Sequence, residues 1–179
     1  MKGTKLLVLT LSLAFILGLV ASPAAAGPSE QASSTPKSGG VLRIGTGQII
    51  TVLGYTPMIN NNSFLQYLQT SFDSLLFYDD AGNLAPKLAV KWETDAEAKT
   101  ITFSLREGVK FQDGTDFNAE AVKWNIEQYQ EAARTEVAII DSIDVVDDYT
   151  VVLHLSDWNS STLEAVGFFV YYMSPTAVQ

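Results

Sequence analysis

Residues 100–127 read Thr-Ile-Thr-Phe-Ser-Leu-Arg-Glu-Gly-Val-Lys-Phe-Gln-Asp-Gly-Thr-Asp-Phe-Asn-Ala-Glu-Ala-Val-Lys-Trp-Asn-Ile-Glu, and this stretch decides the fold. Thr100 to Leu105 alternates strictly, with Ile101, Phe103 and Leu105 on one side and Thr100, Thr102 and Ser104 on the other. A period of two predicts a half-buried antiparallel strand. Asp113-Gly114 supplies a turn, and Gly108 and Gly114 are the residues able to take positive φ. Asn118 is a good N-cap, Glu120 sits favourably in a first helical turn, and Val122, Ile126, Tyr129 and Ala133 form a helical stripe.

The same reasoning extends in both directions. Asn62 or Ser63 can cap a helix whose apolar positions Leu65, Leu68, Phe72 and Leu75 fall at helical spacing. Leu76-Phe77-Tyr78 then leads into a turn at Asp79-Asp80-Ala81-Gly82-Asn83. Ile143 to Val146, Asp147-Asp148 and Thr150 to Leu155 read as a hairpin, and Phe168 to Met173 as a further apolar strand. Val41 to Gly45 is a short strand candidate bounded by glycine. Strands and helices mix without regular βαβ alternation, which predicts an α+β fold rather than a doubly wound nucleotide fold.

Ahead of this region lies a targeting pattern. Lys2 and Lys5 form a positive n-region, Leu6 to Val20 an apolar run, and Ala24-Ala25-Ala26 a cleavage site between Ala26 and Gly27. The apolar run is about 15 residues, short of the roughly 20 a membrane span needs. Residues 27–40 (GPSEQASSTPKSGG) are small and polar, a linker that cannot bury enough apolar surface to offset its ordering entropy. The expected organisation is a signal peptide at 1–26, a linker at 27–40 and a folded unit at 41–179.

The 179 residues are 47% hydrophobic, enough for one core, and the mean hydropathy of +0.14 owes much to the targeting segment. Two of the 11 Lys+Arg lie in the n-region, leaving nine against 20 Asp+Glu and a net charge near −11 after cleavage. That balance disfavours a nucleic-acid surface, which needs clustered Lys and Arg. With no cysteine there is no thiol catalysis, no disulfide, no thiolate metal site and no lipid attachment through Cys in these residues.

The segments Leu84-Ala-Pro-Lys-Leu-Ala-Val-Lys-Trp-Glu93 and Leu105-Arg-Glu-Gly-Val-Lys-Phe-Gln-Asp-Gly-Thr-Asp-Phe-Asn-Ala-Glu-Ala-Val122, in this order and spacing, closely resemble the signature of the family 5 extracellular solute-binding proteins. The resemblance spans roughly Gly40 to Gln179. It implies the peptide-binding class of the periplasmic-binding-protein fold (type II). That fold is a two-lobed receptor that closes on its ligand and hands it to the membrane permease of an ABC importer. Relatives take dipeptides, oligopeptides, nickel complexes, haem, opines or sugars. The chain is then expected to carry the N-terminal part of lobe I, truncated, and to bind no ligand usefully as it stands. Trp92, Phe103, Phe111, Phe117 and Trp124 are expected to fill the junction between strand and helix.

Two departures stand out. Relatives often carry Leu-Asp-Pro after the first strand, where this chain has Val52-Leu53-Gly54-Tyr55-Thr56-Pro57; they also carry Tyr/Phe-Glu-Gly-Leu, where it has Phe72-Asp73-Ser74-Leu75. The first lies in the loop that runs along the ligand cleft of peptide-binding relatives. By position, Tyr55, Ile59, Asn60, Asn61 and Asn62 are the ligand-binding candidates; a connecting surface loop is the plainer alternative.

Sharper chemistry finds little to stand on. One histidine, His154, cannot build a triad or a multi-His metal site and reads as a half-exposed strand residue. Asp141, Asp144, Asp147 and Asp148 lack the spacing and glycine of a calcium loop, and Asp147-Asp148 reads as a solvated hairpin turn. Asp113 and Asp116 are better explained as a turn and the approach to a cap than as an acid–base pair. Gly45-Thr46-Gly47 lacks the third glycine of a dinucleotide loop, and no cofactor motif is found. The sequons Asn61-Asn62-Ser63 and Asn159-Ser160-Ser161 matter only in a glycosylating pathway. What the resemblance implies is a non-enzymatic, monomeric solute-binding protein, with a stand-alone exported structural or interaction module as the alternative.

Overall fold

Four antiparallel strands, in spatial order Ala89–Asp95 (β3), Thr100–Leu105 (β4), Thr150–Leu155 (β6) and Ile140–Asp147 (β5), form the sheet on which the rest is built. The structure, a computed structural model, describes residues 39–41, 43, 45, 54–59 and 65–178. All the elements below belong to the unit Gly45–Gln179. The expected leader, most of the linker and the caps Asn62 and Ser63 lie outside the described residues. Val41, Arg43 and Gly45, placed in a strand by the sequence reading, are exposed and stand in no ladder, while Leu42 and Ile44 lie outside the described residues.

The central strand β4 (Thr100–Leu105) shows the expected alternation, its Ile101, Phe103 and Leu105 buried and the residues between them half-buried. It pairs on one side with β3 (Ala89–Asp95), with Trp92 opposite Phe103, and on the other with β6 (Thr150–Leu155), with Phe103 opposite Val151. The β5–β6 hairpin is formed as expected, with β5 (Ile140–Asp147) on the far edge. One face of the sheet, carrying Ile101, Phe103, Leu105, Val151 and Leu153, is covered by α2 (Ala119–Glu131) through Val122, Ile126 and Tyr129. The other face is polar, and there His154 Nε2 meets Asp144 Oδ2 at 2.9 Å.

The helix begins where the sequence puts it. The Asn118 side chain accepts the Ala121 amide at 2.9 Å with extended backbone at the cap, which satisfies one of the orphan donors of the first turn. Asn118→Ala should cost about 1 kcal/mol in chemical denaturation while Asn118→Asp costs far less; equal losses would refute the cap. The far end differs from expectation. Ala133 is not a helical residue but sits at φ 53, with its amide on Gln130 O at 2.9 Å and that of Arg134 on Tyr129 O at 3.0 Å. Those two bonds make a Schellman ending, with alanine where glycine is usual.

Two further corrections concern apolar runs. Helix α1 (Leu65–Ser71) is only seven residues, so Phe72 and Leu75 follow it; Leu75 is buried as part of the chain entering the hairpin β1 (Leu76–Tyr78) and β2 (Leu84–Pro86). Asp79 organises that hairpin's turn by accepting the amides of Ala81 at 3.0 Å and Asn83 at 2.8 Å. The expected strand at Phe168–Met173 is instead the end of α3 (Thr162–Phe169) followed by an extended segment in which Tyr172 bridges Asp73. A short apolar run does not distinguish buried helix from strand by periodicity. Gly167 lets α3 settle on β1: a Cβ there would lie 2.6 Å from Leu76 Cδ1.

The aromatic residues of the signature mostly fill the junction as expected. Phe103 and Phe117 are fully buried, and Trp92 and Phe111 are half-buried against the core. Trp124 is half-buried but lies outside that core cluster. Gly108 and Gly114 take φ of 72 and 88, the left-handed conformation expected of them.

Candidate functional site

The candidate ligand loop is described at Gly54–Ile59; Asn60, Asn61 and Asn62 lie outside the described residues. Its core is a 3-10 turn, Thr56–Met58, with Pro57 near its start, where the missing N–H costs nothing. Thr56 is fully buried, its hydroxyl donating to Tyr171 O at 3.0 Å and its amide facing Met173 Sδ at 3.2 Å. Met58 is 62% exposed at the outer side of the turn.

What fixes the turn is a relay through the extended segment after α3. Asn125 of α2 is fully buried; its Nδ2 donates to Met173 O at 2.9 Å and its Oδ1 accepts the Met173 amide at 2.9 Å. One turn further along the helix, the Tyr129 hydroxyl accepts the Tyr171 amide at 3.1 Å, and burial pushes that phenol's pKa up. Residues 171–173, held by α2, in turn hold Thr56. Two direct ties flank this relay. The Tyr55 hydroxyl donates to Gln128 Oε1 at 3.1 Å, and Arg134 Nη1 donates to Ile59 O at 3.0 Å.

An open depression of 680 Å³ lies between this turn and residues 132–136, lined by Pro57, Met58 and Arg134 among others. A second, of 390 Å³, shares Thr135 and Glu136 and continues along Ser161, Glu164 and Phe169. Of the five candidates, the structure thus places Tyr55 and Ile59 at one anchored turn beside a concave surface. Sequence reasoning missed Gln128, Arg134 and Thr56. The first two sit on and beyond the helix end and carry no periodic or motif signal.

The carboxylates read as structural are so used. Asp113 accepts the Thr115 amide at 3.0 Å and its hydroxyl at 2.6 Å, and it accepts the Ser174 hydroxyl; Asp116 pairs with Lys110. The hydrogen bonds from Ser174 and then Thr115 hold the exposed Asp113 carboxyl below its usual range. Its contribution to stability is therefore present above the unfolded-state carboxyl pKa and lost as pH falls through the lowered folded value. Ser174→Ala should move the Asp113 titration, followed by carboxyl carbon chemical shift, back up toward the ordinary range; an unmoved curve would exclude the contact. Among the described residues no group of three His, Cys, Asp or Glu could hold a metal ion. No described helix is long and apolar enough to cross a membrane.

Residues 83–178, more than half of the chain, match the family model of the bacterial extracellular solute-binding proteins, family 5 Middle. The chain belongs to that family. This family 5 protein is 41% identical over 78 residues to the glutathione-binding protein GsiB of Escherichia coli (strain K12), covering 43% of the chain and 15% of that relative. Its fold matches an ABC transporter substrate-binding protein from Sinorhizobium meliloti with a TM-score of 0.62 and 30% identity, over 70% of this chain and 27% of the other. It also matches NikA from Brucella suis, solved in complex with Fe(III)-EDTA, with a TM-score of 0.61 and 28% identity, over 69% and 26% of the two chains. The described architecture is thus part of a lobe of the two-lobed periplasmic-binding-protein fold. The chain spans 15% of the curated relative's length and about a quarter of each solved chain.

Proposed function

We propose that this protein is the solute-binding component of an ABC importer, capturing peptides or similar small solutes outside the membrane and delivering them to a permease. The observation that carries this reading is family membership over residues 83–178, in a family of extracellular binding proteins. The matched relatives are binding proteins, one of glutathione, which makes small peptides the favoured solute class. Capture is non-covalent, between lobes that close about a hinge. Tyr55, Ile59, Asn60, Asn61 and Asn62 are assigned to the wall of the solute cleft. What supports this is the anchoring of Tyr55 and Ile59 beside an open depression.

The exported chain comprises a signal peptide at 1–26, a linker at 27–40 and a lobe portion from residue 41. N-terminal sequencing of the secreted product should begin at Gly27; an intact Met1 in that product would overturn the cleavage assignment. The stand-alone module is the second reading, favoured by the continuous core that residues 75–172 build for themselves. Uptake separates the two. Cells lacking the gene should lose import of labelled glutathione or dipeptides and regain it on complementation, whereas unchanged import across a di- and tripeptide panel would favour the module.

A further inference from the structure

Arg134 is held by its surroundings on two sides. Its Nε donates to Glu136 Oε2 at 3.2 Å and its Nη2 to Glu136 Oε1, a bidentate fork. The two side chains are only 18% and 19% exposed, so solvent screens this pair less than a surface ion pair. Because the guanidinium is planar, filling its Nε/Nη2 edge with one carboxylate fixes where Nη1 points. It points at Ile59 O, 3.0 Å away and 75 residues distant in sequence. The backbone beneath is fixed as well, since Arg134 N–H closes the Schellman ending on Tyr129 O.

We propose that Arg134, oriented by Glu136, is the positioning residue of the solute-facing turn, latching Ile59 onto the end of α2 and so pre-organising the turn before any solute arrives. The proposal rests on reading the 55–59 turn as part of the solute wall. Thr56 already fixes the start of the turn from within the core, and Tyr55 is tied to Gln128; Arg134 is the tie that holds its end. A lysine in its place keeps the charge and most of the stem, but it cannot grip Glu136 with two nitrogens while donating to Ile59. The latch predicts that the pair acts as a unit, so that breaking it a second time has no further effect.

The test is residue-resolved amide exchange on the wild type, R134K, E136Q and the double variant. The amides of Met58 and Ile59 donate to Tyr55 O and Thr56 O within the turn and report its opening. In R134K they should exchange at least tenfold faster while the β4–β6 ladder amides do not change. E136Q should accelerate them less, and adding it to R134K should do nothing more. Unchanged exchange at Met58 and Ile59 overturns the latch, and so does acceleration spread equally through β4 and β6, which would make Arg134 a general structural prop. The exchange data are read without ligand, so they decide the latch whatever the outcome of the uptake experiment that tests the functional reading.

Discussion

Phe117→Ala should destabilise the protein by about 3–5 kcal/mol, the range for emptying a buried aromatic site whose surroundings cannot collapse. Phe117 is 1% exposed, and three separate parts of the chain converge on it. Its ring makes edge contacts with Phe111, centroids 5.9 Å apart, and with Tyr172, 6.0 Å apart, while its amide donates to Val109 O at 3.0 Å. The Gly108–Gly114 region, the start of α2 and the segment after α3 are therefore joined through one ring. Guanidinium denaturation should show the midpoint falling with an unchanged slope, because the folded state loses packing and the unfolded state is the same. Two controls sharpen the reading. Trp124→Ala, a larger deletion outside the core cluster, should cost less than Phe117→Ala. Tyr172→Phe should be neutral or stabilising, since the buried Tyr172 hydroxyl has no hydrogen-bond partner among the described residues. A loss under about 1 kcal/mol for Phe117→Ala would mean the site refills, and that the ring is not a junction.

How far the sequence reveals this fold depends on whether a residue's environment repeats at short spacing. Ile101, Phe103 and Leu105 announce β4 because one face is packed and the other is not, and Asn118 announces α2 because its cap is local. β3 is silent for the opposite reason. It is an edge strand in which only Ala89 is buried, so Val90 to Asp95 shows no alternation to read. α3 fails differently: Phe168 to Met173 is apolar throughout, and the helix-to-extended change at Val170 is set by contacts with Asp73, Asn125 and Tyr129. The candidate site was legible only through family resemblance. Position along the first loop singled out Tyr55 and Ile59. Their anchors, Gln128 and Arg134, lie 73 and 75 residues away, beyond any local pattern.

Asn125 carries the second large effect, through polar groups rather than volume. Asn125→Ala should cost about 3 kcal/mol, most of it from stranding the buried amide and carbonyl of Met173, which lose their only side-chain partner described here. The third bond, Nδ2 to Ala121 O at 2.8 Å, merely adds to a carbonyl already facing the helix ladder, so its loss contributes little. Asn125→Asp separates the two halves of the interaction. Its carboxylate can still accept the Met173 amide, but it cannot donate to Met173 O, and as a fully buried charge it pays a desolvation cost that asparagine does not. The aspartate variant should therefore be less stable at neutral pH than in mild acid relative to wild type, because its folded-state carboxyl prefers the protonated form. The consequence for the candidate site is direct. Residues 171 and 173, which hold Thr56, are themselves held by α2, so in Asn125→Ala the Thr56, Met58 and Ile59 amides should lose exchange protection before the β4–β6 ladder does. If those amides stay protected while global stability falls, the turn is anchored without the relay, and Arg134 and Tyr55 suffice to hold it.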